Sequence, residues 1–121
     1  MAYTVPTLVA FNLRPGTAVP ITDTITEAVA QTPFQLVYPS GQYWGQVTFQ
    51  AVLDTVSVFK ADLEYDMTGD DANFVVYVAG KDFAATNGQS VVLNLNGGNI
   101  RYRFNVTDWT GTGAVIWAIT G

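Results

Sequence analysis

Alternation of apolar and polar side chains with a period of two is the feature that most constrains this chain. It is clearest in three segments: residues 47–53, 58–65 and 100–107. Within the second segment, Phe59, Ala61 and Leu63 share one side while charged residues occupy the other. Because successive side chains of a strand point to opposite faces, each segment predicts a strand with one apolar and one wet face. Strands of this kind are typical of antiparallel sheets.

Five further segments predict additional strands: residues 4–13, 34–38, 74–79, 90–95 and 114–120. Turn-forming Gly, Pro and Asn residues separate most of the segments. Residues 74–79, 90–95 and 114–120 are apolar on both faces, which is typical of central strands or of strands covered by another subunit. Eight or nine short strands predict an all-β fold, an antiparallel β-sandwich of the jelly-roll type.

The segment between Ile21 and Val29 has two interpretations. Ile21, Ile25 and Val29 lie at helical spacing, and Thr24 with Glu27 resembles a helix capping box. The same segment is rich in β-branched residues, which favour a strand. We expect a strand here, with a helix as the alternative.

A single domain over residues 1–121 is expected, because the chain has no repeat, linker or low-complexity tract. Residues 1–13 alternate, but Pro6 lacks the backbone N–H that a central strand would donate. This segment therefore predicts an edge strand or an arm that contacts a neighbour, since an exposed edge is a hazard for a lone monomer.

Histidine and cysteine are both absent, which removes the commonest general base and all thiol chemistry. Ser–His and Cys–His nucleophile pairs, disulfides, and histidine or thiolate metal sites are excluded. No glycine-rich phosphate loop precedes a helical segment. We expect no enzyme activity, no cofactor and no metal.

The charge distribution argues against nucleic acid and membrane partners. The net charge is −5, and the five cations are scattered: Arg14, Lys60, Lys81, Arg101 and Arg103. They are too few to neutralise a phosphate backbone, and an acidic chain is not attracted to anionic membranes. No segment has the roughly 18 apolar residues of a spanning helix, and the first residues do not form a signal peptide.

Carboxylates offer two alternatives to a purely structural interpretation. Asp62 and Glu64 share one strand face and Asp66 follows them. A pair of these acids could serve glycoside hydrolysis, but a solvated outer face is the simpler interpretation. Residues 66–73 form an acidic loop that could hold Ca²⁺. The loop lacks EF-hand spacing, so we interpret it as a hairpin connection.

Three aromatic residues lie in or near predicted connections rather than on apolar strand faces: Tyr43, Trp44 and Trp109. Such residues stack on a sugar ring, anchor a protein interface, or cap the ends of a sandwich. They are the candidate interface or sugar-binding residues of the chain.

The order of motifs over residues 44–121 resembles that of small β-sandwich virion proteins of tailed bacteriophages. An acidic Gly/Asp loop at residues 66–73 runs into the aromatic Phe74. Residues 95–104 then read Leu-Asn-Gly-Gly-Asn-Ile-Arg-Tyr-Arg-Phe, and residues 110–114 read Thr-Gly-Thr-Gly-Ala. The chain departs from the family pattern in the loop sequence and in having Phe74 where Trp is common.

The resemblance implies a non-enzymatic structural component of a virion, such as a capsid decoration protein or a minor head or tail protein. The implied partners are other copies of the chain, with a trimer favoured, and other virion proteins. The implied location is the virion, after synthesis in the host cytoplasm. The alternative is a carbohydrate-binding module or adhesin head that uses Tyr43, Trp44 or Trp109 to bind a glycan.

Overall fold

The computed structural model describes residues 9–12, 17–38, 44–84, 88, 91–97 and 100–120, and this part of the chain contains strands and no helix. The strands are β1 (Val9–Asn12), β2 (Val19–Pro20), β3 (Phe34–Val37), β4 (Trp44–Asp66), β5 (Val75–Asp82), β6 (Val91–Asn96) and β7 (Arg101–Thr120). The all-β prediction is confirmed. Among the described residues there is accordingly no helix that could span a membrane.

A long antiparallel ladder between β4 and β7 organises the sheet. It runs from the pair Val47 and Thr120 to the pair Asp66 and Arg101. The sequence predicted two short strands in place of each of these, yet β4 has 23 residues and β7 has 20. The predicted turn at residues 111–113 is part of β7. The described residues therefore form seven strands, two of them long, in place of the eight or nine short strands predicted.

The ladder folds back on itself near its middle. Strand residues rise about 3.3 Å each, so Phe49 and Leu63 would lie roughly 46 Å apart in a straight β4. Phe104 is the ladder partner of Leu63, and its ring centroid lies only 5.2 Å from that of Phe49. The two halves of the ladder therefore bring their apolar faces together.

The bend has a clear local geometry. The pairing shifts register between Val56 and Val58, and Thr55 has a φ of 46°, in the left-handed region. Gly111 lies opposite Val56 on β7, and a Cβ added there would lie 2.8 Å from the Val56 Cα. Only glycine allows the two backbones to approach so closely, which explains its place inside a strand.

The remaining strands extend the sheet on both sides of the ladder. On the β4 side, β5 pairs with residues 60–65 and β6 pairs with residues 44–49. On the β7 side, β2 pairs at Val19 and Ala118 and β3 pairs at Phe34 and Tyr102. The pairings define one continuous, largely antiparallel sheet in which β1 joins β3 in parallel. The sandwich and its jelly-roll type stay predictions.

The segment between β2 and β3 follows β7 without forming a helix. Ile25 bridges to Ala114, and Ala30 bridges to Asn105. The backbone N–H of Ile21 also donates to the Ile116 carbonyl at 2.9 Å. The helix alternative is thus wrong, and the segment contacts β7 through isolated bridges instead of forming the regular strand expected from the sequence. Of the predicted N-terminal strand or arm, only residues 9–12 are described, as the edge strand β1, so the arm stays a prediction.

An aromatic cluster fills the space between the two halves of the sheet. Phe104 lies at its centre, with ring centroids 5.2 Å from Phe49, 6.3 Å from Phe34 and 6.4 Å from Phe83. These four rings come from β7, β4, β3 and the segment after β5, and all are buried. Their packing holds the folded ladder closed, because each ring loses a large apolar surface to the core.

We expect Thr55→Gly to stabilise the protein. A β-branched residue in the left-handed region costs about 1–2 kcal/mol, whereas glycine adds about 0.5–1 kcal/mol of unfolded-state entropy. The net gain in the free energy of unfolding, measured by urea denaturation, should be about 0.5–1 kcal/mol. The control is Thr48→Gly in a regular part of β4, which should lose about 1 kcal/mol. Equal losses in both variants would contradict the bend described for Thr55.

Candidate functional site

The three aromatic residues proposed from the sequence as interface or sugar-binding residues differ in how far the structure describes them. Tyr43 lies outside the described residues, and Trp44 is described only by its backbone, which begins β4 opposite Asn96. Trp109 lies in β7 with its ring edge-on to Phe59, at a centroid distance of 5.1 Å. Its indole Nε1 is buried and has no acceptor among the described residues. This packing favours the structural role for Trp109, and the sugar-stacking role of the three residues stays a prediction.

The outer face of β4 and β7 is a polar cluster beneath the β4–β5 loop. The sequence predicted a solvated face, which is wrong for Glu64 and Asp66, because both are buried and Asp66 is 0% exposed. Glu64 accepts a hydrogen bond from Arg103 Nε at 2.6 Å. The Arg103 guanidinium also lies 4.0 Å from the centroid of the Phe74 ring, which follows the loop. Arg103 and Phe74 therefore cover Glu64, and the loop covers Asp66 at the end of the strand.

Asp66 organises the loop by accepting hydrogen bonds from it. The backbone N–H of Thr68 donates to Oδ1 at 2.8 Å, and that of Asn73 donates to Oδ2 at 3.1 Å. Burial alone would raise the pKa of Asp66, but these bonds and that of the Thr68 hydroxyl outweigh it and lower the pKa to about 2. Asp66 is therefore ionised at neutral pH and is not a proton donor.

The other acids of the loop also have partners. Asp70 accepts a hydrogen bond from the Ala72 N–H at 2.9 Å, and Asp71 forms an ion pair with Arg101 at 3.0 Å. Burial raises the pKa of Asp71, and the Arg101 charge counteracts that rise. The described residues contain no group of three or more acids placed to hold a metal ion. Because β5 pairs back onto β4, the loop is the hairpin connection that the sequence predicted.

A cleft opens where the two halves of the sheet separate, between β6 and the β4–β5 hairpin. Its volume is about 220 Å³, and its lining consists of Tyr65, Met67, Tyr77, Asn94, Leu95, Asn96, Ile100 and Tyr102. Tyr102 forms the floor, and its hydroxyl donates to the Asn96 carbonyl at 2.9 Å. Burial raises the pKa of Tyr102 to about 12, so its phenol is neutral at physiological pH. No sequence motif marked this cleft, because its lining comes from separate segments.

An apolar surface lies on the first half of β5. Val75, Val76 and Tyr77 are each about half exposed, and we call these three residues the β5 patch. Within the described sheet β5 pairs only with β4, so it is an edge strand. The prediction that residues 74–79 form a central strand is therefore wrong. The alternative, a strand covered by another subunit, stays a prediction.

Comparison with known proteins identifies no relative of this chain. A scan against protein-family models finds no match, and searches of the curated proteins and of the solved structures find no significant match. The resemblance to phage virion proteins therefore stays an expectation that depends on residues 44–121 of the sequence alone.

The lowered pKa of Asp66 predicts a specific acid sensitivity. A carboxyl whose pKa is lower in the folded than in the unfolded state stabilises the fold above its unfolded pKa. That contribution, on the order of 2 kcal/mol, should be lost as pH falls from about 4 to about 2. Urea denaturation across this range should show the loss in wild type and a smaller loss in Asp66→Asn.

The pKa of Asp71 is shifted in the opposite direction, so protonation of Asp71 at low pH favours the folded state. Asp71→Asn is therefore the matched control and should keep the full loss between pH 4 and 2. An Asp66→Asn variant with the same acid sensitivity as wild type would contradict the role assigned to Asp66.

Proposed function

We propose that this chain is a non-enzymatic structural domain that acts through protein–protein contacts, with the β5 patch as its contact surface. The observation that carries the proposal is the run of three consecutive half-exposed apolar residues on an edge strand. An edge strand presents unpaired backbone N–H and C=O groups, and apolar side chains beside them make it a template for another chain. Exposed apolar patches of this kind mark interaction sites.

The second half of β5 carries an additional device against such pairing, its lysine, which favours the patch as the contact. Gly80 has a φ of 64°, and its N–H donates to the Asp62 carboxylate at 2.7 Å. The pairing of β5 with β4 is irregular between Lys81 and Val78 and again between Val78 and Val76. A bulge and a lysine are devices that keep an edge from pairing. Residues 75–77 carry no charge, and the lysine lies only in the second half of the strand.

A second copy of the chain is the partner that suits this patch. In an antiparallel pair centred on Val76, Val76 meets its own copy and Val75 meets Tyr77, so every contact is apolar. Self-complementarity of this kind is what a two-fold interface requires. The trimer favoured from the sequence would instead place the patch against a different surface of the neighbour. Both assemblies bury the β5 patch, and the measured mass distinguishes them.

The more specific proposal is a virion component, either a capsid decoration protein or a minor head or tail protein. Its support is the sequence resemblance over residues 44–121, together with a charged content of only 12%. A surface with few charges is suited to burial between subunits, because charged residues are depleted at interface cores. On this proposal the further partners are other virion proteins, and the location is the particle.

We expect Val76→Lys to abolish self-association. A lysine at the centre of the contact places like charges together and removes apolar area, so the assembly should become monomeric. Light scattering coupled to size-exclusion chromatography gives the mass at micromolar concentration. Val76 is exposed in the single chain. The free energy of unfolding of the monomeric variant should therefore differ from that of the monomeric wild-type chain by less than about 0.5 kcal/mol.

The matched control is Val92→Lys on β6, the other edge strand that pairs with β4. Val92 is 52% exposed and Val76 is 49% exposed, so the two substitutions are chemically equivalent. The control variant should keep the wild-type mass. A monomeric wild type, or a loss of assembly only in Val92→Lys, would contradict the β5 patch as the contact surface.

A further inference from the structure

We propose that the cleft between β6 and the β4–β5 hairpin binds a neutral saccharide, with one pyranose ring against Tyr77. This inference goes beyond the assembly function and uses different residues from the glycan hypothesis based on Tyr43, Trp44 and Trp109. The cleft volume of about 220 Å³ is below the ~300 Å³ of the smallest clefts that hold drug-sized ligands. The cleft therefore suits a single sugar ring with the rest of a chain extending into solvent.

Aromatic side chains supply the apolar part of the site. The rings of Tyr65 and Tyr77 lie 6.0 Å apart at 84° to each other, which forms a corner. Tyr102 closes the floor with its hydroxyl fixed to the Asn96 carbonyl. Tyr77 is half exposed, so its ring can contact a ligand. The carbon-bound hydrogens of a pyranose form an apolar face that packs on such a ring, while its hydroxyls need polar partners.

Amide side chains supply the polar part. Asn94 and Asn96 are both exposed at the rim of the cleft, and their side-chain amides form no hydrogen bond with any described residue. Each amide offers one acceptor and two donors. Sugar hydroxyls both donate and accept, so an amide satisfies them better than a carboxylate or an ammonium group does.

Charge decides which class of saccharide fits. None of the eight residues that line the cleft is Asp, Glu, Lys or Arg. A sialylated or sulfated sugar would find no cation there, and a charged group would lose its hydration without compensation. A neutral hexose has no such cost, and its binding should depend little on ionic strength.

Saturation-transfer difference NMR with D-glucose, D-galactose, D-mannose and N-acetylglucosamine tests the proposal on the full chain. At least one of these sugars should give ring-proton signals with wild type. Tyr77→Ala should raise its Kd about tenfold, the equivalent of one lost ring contact. The double variant Asn94→Ala/Asn96→Ala should weaken binding at least as much. Tyr77→Phe, which keeps the ring, should stay within about threefold of wild type.

Two control variants test whether sugar binding depends on the cleft itself. Val92→Ala changes an exposed residue of β6 that does not line the cleft, and it should bind as wild type does. Tyr77 belongs to both the cleft and the β5 patch, so assembly through the patch competes with sugar binding. Val76→Lys disrupts the proposed assembly and leaves Tyr77 exposed, so it should bind the sugar at least as tightly as wild type, whether or not wild type assembles. The proposal is overturned if no sugar in the panel gives a signal with either wild type or Val76→Lys, or if Tyr77→Ala binds normally. Loss of binding in Trp44→Ala with Tyr77→Ala unaffected would place the site elsewhere and also overturn it.

Discussion

A sheet that has one apolar face and no helix to cover it must bury that face against itself. In the described part of this chain the long β4–β7 ladder meets that requirement by bending at Thr55 and Gly111. The contact of Phe49 with Phe104 joins residues that a straight ladder would hold far apart. Because Phe34 and Phe83 pack on Phe104 as well, the strands on both sides of the ladder close onto one aromatic cluster.

The exposed features of the molecule follow from that closure. The two halves of β4 carry different neighbours on the same side, β5 and β6, and within the described residues each of these ends the sheet. The bend brings the edges formed by β5 and β6 to one side of the fold, and the cleft lies between them. The β5 patch and the cleft share Tyr77 but otherwise differ in chemistry. The first is an apolar edge suited to another chain, and the second combines tyrosine rings with amides.

The outer face shows how a loop changes the environment of a strand. Glu64 and Asp66 would be solvated on an open sheet, but the loop donates hydrogen bonds to Asp66 and the Arg103 side chain covers Glu64. Arg103 and Arg101 neutralise Glu64 and Asp71 in largely buried ion pairs. Such buried pairs are costly to break because one charge is left uncompensated. The loop, the arginines and Phe74 therefore act as one structural unit.

Local pattern predicted the inner face of the sheet correctly and missed what depends on distant residues. Alternation alone marks Phe59, Leu63 and Phe104 as core, and all three are buried. It could not distinguish a turn from a bend within a strand, because glycine at residues 111 and 113 gives the same local signal in both cases. The burial of Asp66 and the lining of the cleft depend on segments far apart in the sequence. No periodicity within one segment could reveal them.

Backbone amide hydrogen exchange at low and high micromolar concentration tests the central claim most directly. That claim is that one closed ladder forms the core and leaves the β5 patch free for assembly. We expect slow exchange along β4 and β7 at every concentration. Within residues 75–77, the N–H groups that point away from β4 should become protected only as the concentration rises. Fast exchange along β4 and β7, or protection of those outward-pointing groups that does not change with concentration, would contradict it.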